Sequence, residues 1–333
     1  MSSSEHSYRA GRRKFSSSLI LSLLGARLMA FPLIANADSF PTRTIRIVVS
    51  VGAGSGGDTT VRYVADLLQE KLKVPVIVEN KPGADSWIAT QSVLQAPADG
   101  YSIILTSLSL VTVPFTNEAA KYDPMEDIIP IGMTSRTPAM IVTSENSRFK
   151  SLDELLGESK ENSNSINFAA YANSYRIGVK YFEKISDSKF TLINYKAFGQ
   201  VINDLMGQTI DAALVDGGAA LPLIRSGRLR ALAIAGDQRL GSLPEVPTVR
   251  EILKKDYELF VWTGFGVKKG TPADVIKKLK SGLAEVFSMG EYKDYFRKNR
   301  PESDNVGNTG KYSDDYYRNE ISKYRKIIKS IEL

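Results

Sequence analysis

The chain has no cysteine, and its one histidine is His6. Without cysteine there are no disulfides, no thiolate metal sites and no lipidated N-terminal cysteine. A body without histidine has no Cys–His dyad, no Ser–His–Asp triad and no histidine-ligated zinc or iron. No metal site is therefore expected. Long apolar runs are also scarce. The run at 19–34 is broken by Arg27, which argues against a membrane-spanning helix.

What is present is ordinary for a globular protein: 333 residues, 43% hydrophobic and 24% charged. That is enough chain for two domains or one large one. The formal net charge is +6. In the first 37 residues Arg9, Arg12, Arg13, Lys14 and Arg27 face only Glu5, so this segment carries most of the excess. The remaining body is close to neutral, and no nucleic-acid partner is expected. The same segment has the layout of an export leader. Arg12-Arg13-Lys14-Phe15 precedes the apolar run, and Ala35-Asn36-Ala37 fits a small-x-small cleavage site. The mature chain is expected to start near Asp38, in the periplasm. The leader fits either the twin-arginine or the general secretory route.

The most informative stretch is 45–72. An apolar strand at 45–51 runs into Gly52-Ala53-Gly54-Ser55-Gly56-Gly57-Asp58 and then a helix at 59–72. Such a turn aims backbone N–H groups and the positive end of a helix at one point, which suits an anion. Two anions fit. Gly52-x-Gly54-x-x-Gly57 matches the dinucleotide fingerprint, with Glu79 placed as a ribose-binding acid. That reading is an exported NAD(P)-dependent oxidoreductase. A small carboxylate fits the same turn equally well. Asp58 is expected as the N-cap of the helix.

Apolar runs alternate with helical patterns over most of the chain. Strands are expected at 74–78, 102–106, 139–142, 166–170, 190–193, 211–215, 229–235 and 260–267. Helices are expected at 88–95, 151–156, 174–185, 200–206 and 219–225, with three more at 273–289, 292–298 and 312–331. The polar run 158–165 reads as a loop. The strands are apolar on both faces, as in a parallel sheet covered by helices. The expected fold class is α/β, with two sheets in two lobes.

A series of short motifs in one order is more specific than the glycine turn. They are Glu79-Asn80-Lys81-Pro82-Gly83-Ala84, Ala98-Asp99-Gly100-Tyr101, Tyr122-Asp123-Pro124, Asn194-Tyr195-Lys196 and Asp204-Leu205-Met206-Gly207-Gln208. Ser226-Gly227-Arg228-Leu229, Leu243-Pro244-Glu245-Val246-Pro247-Thr248 and Gly270-Thr271-Pro272 follow. Together they resemble the periplasmic solute-binding proteins of the tripartite tricarboxylate transporter, the Bug family. Gly54, Asp58 and Arg62 keep the family's spacing after the first strand. Ser50, Gly52 and Ala53 stand where the family usually has prolines, and Asp85-Ser86 where it usually has glycines.

The resemblance implies a two-lobed type II periplasmic binding protein, with a cleft between two α/β domains. A leader at 1–37 would precede lobe 1 at 38–138 and lobe 2 at 139–249. Residues 250–333 would return to lobe 1 and end in helices. It implies a receptor with no catalytic residues and no cofactor, which closes on a small organic carboxylate. The carboxylate would accept from backbone N–H groups of Gly54, Ser55 and Gly56 and from the Ser107 hydroxyl. The other lobe would contribute Tyr171, Asn173 and Ser174, with Asp216 accepting from a ligand amine or hydroxyl. The anion would thus be held by neutral donors. The receptor would be a monomer that hands its ligand to the membrane subunits of a transporter, or an orphan receptor.

Overall fold

A computed structural model of the chain describes residues 40–304 and 307–331. The expected leader at 1–37 lies outside the described residues. The elements run β1 (Ile45–Val49), α1 (Gly56–Leu72), β2 (Val76–Asn80), α2 (Trp87–Leu94), β3 (Ser102–Ser107), α3 (Leu108–Thr112), α4 (Pro124–Asp127) and β4 (Ile128–Ser144). Then come α5 (Leu152–Glu161), β5 (Asn167–Ala170), α6 (Asn173–Ser186), β6 (Thr191–Asn194), α7 (Phe198–Met206), β7 (Ala212–Asp216), α8 (Gly217–Arg225) and β8 (Leu229–Ala235). The chain finishes with α9 (Val249–Leu253), β9 (Phe260–Lys268), α10 (Ala273–Ser288), α11 (Gly290–Asn299) and α12 (Lys311–Ser330).

β1 lies between β2 and β3 and is parallel to both, with Ile45 opposite Val76 and Arg46 opposite Ser102. β9 then runs antiparallel to β3 and to β4. Beyond β4 the order continues β7, β5, β6, with β8 also paired to β4. The sheet is therefore mixed, not purely parallel. Apolarity on both faces reports burial, not strand direction, which is why the pattern did not separate the two cases.

β4 is the largest departure from the sequence expectation. Only 139–142 reads as a strand in the sequence, yet the element has 17 residues. Its first part, to Pro138, pairs with β9, and from Ala139 it pairs with β7 and β8. Pro130 and Pro138 mask the first part in the sequence. The ladder accommodates Pro130 beside a register shift between Pro130 and Gly132, and Pro138 at the end of the β9 pairing; a second shift lies between Met133 and Ser135. The polar run after residue 158 also differs, because α5 continues through Glu161.

Helical spacing on α1 puts Val61, Val64, Ala65, Leu68 and Leu72 on one buried face, packed with Ile45, Ile47 and Val49 of β1. Each large side chain so buried contributes roughly 1.5–3 kcal/mol of transfer free energy. On the far half of the sheet, Val201 and Leu205 of α7 pack with Met140, Val142, Ala213 and Val215. α12 buries Tyr317, Ile321 and Tyr324 and leaves its lysines on the solvent side. Its buried Glu320 accepts from the Trp262 indole at 3.1 Å, which ties the helix to β9. No helix among the described residues is long and apolar enough to cross a membrane.

Candidate functional site

The site is built from three chain segments that meet at the carboxyl ends of β1, β5 and β7, where open α/β sheets place their ligands. The first is the turn after β1. Ser55 is the N-cap of α1, with extended backbone, and its Oγ accepts from the Asp58 amide at 3.3 Å. Asp58 is therefore the third residue of the helix, not its cap. Its buried carboxylate accepts from the Gly54 amide at 2.8 Å, from Asn80 Nδ2 at 2.7 Å and from Arg62 Nε at 3.0 Å. This is a capping box displaced by one residue: the Ser55 hydroxyl satisfies the Asp58 amide, and the Asp58 carboxylate satisfies the Gly54 amide. Gly54 sits at φ +78°, the left-handed conformation that glycine adopts without strain. The Ser55 amide donates to Gly52 O at 3.2 Å. Among the described residues, the Gly56 and Gly57 amides have no intrachain acceptor.

Hydrogen bonding from Arg62, helped by Asn80 and the Gly54 amide, outweighs burial and lowers the Asp58 pKa to about 2 from 3.8. The folded pKa lies below the unfolded one. The resulting stability is thus present above about pH 4 and is lost as the pH falls toward 2. Because Arg62 faces solvent, we expect a loss of roughly 1–2 kcal/mol, not the full shift. Urea unfolding followed down this range should show an acid limb that is flatter in Asp58→Asn. Identical limbs would refute the assignment.

The second segment is the end of β7. Asp216 Oδ1 caps α8, accepting from the Gly218 and Ala219 amides at 2.8 and 3.3 Å. Gly217 is needed here because a Cβ would run into the Pro138 carbonyl of β4. The Asp216 amide donates to the Tyr171 hydroxyl at 3.4 Å, and that hydroxyl donates to Tyr175 at 2.9 Å. Burial pushes both tyrosines well above their ordinary pKa, so they are neutral hydroxyls at any physiological pH.

The third segment follows α11. Arg300 brings its guanidinium between the other two, with Nη1 3.7 Å from Asp216 Oδ2. Its Nη2 lies over Gly56, where an added Cβ would come within 2.5 Å of it. A cavity of about 570 Å³ is lined by Ser55, Gly56, Tyr171, Phe198, Asp216 and Arg300, among others. Its size is that of a small-molecule site.

Four of the residues singled out from the sequence meet in this cavity: Ser55, Gly56, Tyr171 and Asp216. Gly54 supports the turn, but its amide is committed to Asp58. Ser107 precedes α3 and does not line the cavity. Asn173 and Ser174 open α6 and are buried outside it. The Asn173 side chain donates to Thr116 at 2.6 Å and accepts from Arg176 at 3.1 Å. Its amide points at Asp85 Oδ1, 3.4 Å away, and Arg176 holds the other Asp85 oxygen at 3.2 Å. Asp85 thus caps α6 from the turn after β2, in left-handed backbone where glycine is the usual residue.

The sequence reading missed Arg300 and Phe198, and named Gly57 only as part of the glycine turn. Arg300 stands beside Arg297 and Lys298 at the end of a basic helix and reads locally as solvent-facing. No spacing rule connects it to Asp216. Glu79 does not reach the turn as a ribose ligand would require. It pairs with Lys81 at 3.0 Å and Arg46 at 3.1 Å. Those pairs overcome the effect of burial and hold its pKa below the usual value. Among the described residues, no group of three or more His, Cys, Asp or Glu is placed to hold a metal.

The chain is similar to several known proteins. Protein BugT of Bordetella pertussis is 31% identical over 254 residues, 75% of this chain and 78% of its own. The solved periplasmic binding protein BugD superposes with a TM-score of 0.73 at 26% identity, covering 87% of this chain and 98% of its own. The R. palustris protein Rpa4515, solved with adipate, superposes with a TM-score of 0.76 at 22% identity over 87% and 97%. At that identity the likeness speaks to the fold, which is the two-lobed type II binding-protein fold. The family described as the tripartite tricarboxylate transporter family receptor, TctC, matches residues 60–333, and the chain belongs to it.

Proposed function

We propose that this chain is a periplasmic receptor that captures a small organic carboxylate and has no catalytic step. The observation that carries the reading is the convergence on one cavity of two α1 amides without intrachain acceptors and the Arg300 guanidinium. Amides at a helix N-terminus and an arginine both favour an anion, and together they complement a carboxylate. Membership of a receptor family supports it, as does the adipate held by the R. palustris protein. The dinucleotide alternative loses its ribose acid to Lys81 and Arg46.

The leader at 1–37 would export the chain, with cleavage near Asp38, and the monomeric receptor would deliver its ligand to transporter membrane subunits. Lobe 1 would comprise 38–138 and 250–333, and lobe 2 would comprise 139–249. The exchange of partners along β4 at Pro138 and Ala139 supports that boundary. It makes β4 a natural hinge for closure on the ligand.

A thermal-shift screen of the purified protein against organic acids, amino acids and NAD(P)(H) tests the reading. A ligand at about 100 times its Kd stabilises by roughly 2.7 kcal/mol, which moves Tm by several degrees. We expect a rise with a carboxylate and none with dinucleotides. A rise with NAD(P) alone would overturn the proposal.

A further inference from the structure

Arg300 is the one feature of the cavity that neutral-donor recognition does not explain. The Arg300 side chain is only 24% exposed and that of Asp216 only 15%, so both are partly withdrawn from water. Such a charge is costly unless it is paired and hydrogen-bonded. The pair here is loose. At 3.7 Å it lies beyond hydrogen-bond length, and no acceptor hydrogen-bonds to the Arg300 guanidinium among the described residues. Asp216 is asymmetric in the same sense. Its Oδ1 is held by two α8 amides, whereas the oxygen facing Arg300 has no hydrogen-bond donor among the described residues.

The local packing positions the cation instead of satisfying it. Gly56 lets the guanidinium lie against the first turn of α1, where an added Cβ would meet Nη2 at 2.5 Å and the guanidinium would have to shift. The segment that follows is pinned to β4: Arg136 and Asp304 exchange backbone hydrogen bonds at 3.2 and 3.0 Å. Their side chains form a two-point pair at 2.8 Å for each bond. A planar, five-donor group held beside two amides without intrachain acceptors matches the two-oxygen geometry of a carboxylate.

We propose that ligand capture is a counter-ion exchange: the ligand carboxylate displaces Asp216 as the partner of Arg300 and bridges its guanidinium to the Gly56 and Gly57 amides. Arg300 is then the residue that gives the site its charge selectivity. Asp216 keeps the guanidinium in place before binding and competes with the ligand for it. This inference rests on the reading of the cavity as the carboxylate site. It goes beyond that reading by assigning the charge on which binding depends and the residue that opposes it.

The two residues should act with opposite signs on an acid that carries no hydroxyl or amine. Succinate and adipate are suitable probes, titrated calorimetrically into the wild type, Arg300→Gln, Arg300→Lys and Asp216→Asn. Asparagine still caps α8, so Asp216→Asn removes the competing charge and keeps the cap. For the tighter of the two acids, Arg300→Gln should weaken binding about 10- to 100-fold, the range of a charge-assisted hydrogen bond. Arg300→Lys should recover part of that loss, and Asp216→Asn should tighten binding several-fold. If Arg300→Gln binds both acids as the wild type does, the exchange is wrong while the receptor reading stands. If Asp216→Asn weakens binding, Asp216 is a contact and not a competitor, and the exchange is again wrong. If the wild type responds to neither these acids nor any acid of the wider screen, the receptor reading fails and the exchange falls with it.

Discussion

Asp58→Ala should lower the unfolding free energy by about 2–4 kcal/mol and abolish measurable carboxylate binding, the largest single-site effect we expect outside Arg300. Three donors converge on this carboxylate: the Gly54 amide, Asn80 Nδ2 and Arg62 Nε. Asn80 also holds the strand end, donating to Val51 O at 3.0 Å. Truncation leaves the Gly54 amide without its acceptor and removes one partner each from Asn80, which keeps Val51 O, and from Arg62, which faces solvent; an unmet donor costs more than the bond contributes. The turn is rich in glycine and keeps only the Ser55 amide bond to Gly52 and the Ser55 cap once the Asp58 carboxylate is gone, so it should lose order on truncation. Asp58→Asn keeps an oxygen acceptor for the Gly54 amide and should lose roughly half as much stability. Denaturant unfolding gives the stability and calorimetry gives the affinity. If Asp58→Ala unfolded at the wild-type midpoint, the turn would be held by something other than this hub.

Arg136→Ala should cost about 2–3 kcal/mol and weaken carboxylate binding by about tenfold or more, although Arg136 does not line the cavity. Arg136 lies on β4 just before the strand changes partners. Its guanidinium grips Asp304 at two points and stacks 4.0 Å from the centre of the Phe260 ring. Although burial alone would lower its pKa, the Asp304 hydrogen bonds raise it above the usual arginine value, so the charge is permanent. Removing the side chain deletes the grip on the segment that carries Arg300 and strips a buried face from Phe260. Lysine offers a point charge in place of a fork, so Arg136→Lys should regain stability only in part. Loss of stability with unchanged affinity would mean that the segment after α11 is placed by its backbone bridges alone.

Much of the fold was legible because its signals are local. Short apolar runs mark β1 and β8, and a 3.6-residue period marks α1 and α10, to within a few residues, and each is one run of chain whose side chains answer to their immediate neighbours. β4 was legible only in its second part. Its first part, with two prolines and two register shifts, is a strand because β9 lies beside it, not because its residues favour one. The site divides in the same way. The glycine turn between strand and helix is a local pattern and could be read directly. Asn173 and Ser174 were placed by analogy of position, and the structure puts them on the buried side of α6, beside Asp85 and Thr116.

The sequence by itself determined the chemistry that is excluded, the alternation of strands and helices, the glycine turn after β1 and the family. Each of these depends on residue types or on spacing within one segment. Only the tertiary structure decided that Asp58 is a hub and not a cap, that Asp85 closes α6, and that Arg300 stands between Gly56 and Asp216. These are choices of partner among many donors and acceptors. They are settled when β4 pairs with both β9 and β7 and brings together segments distant in the chain. A charge at the end of a basic helix looks the same in sequence whether it faces water or a ligand. What separates the two is the burial imposed by long-range packing.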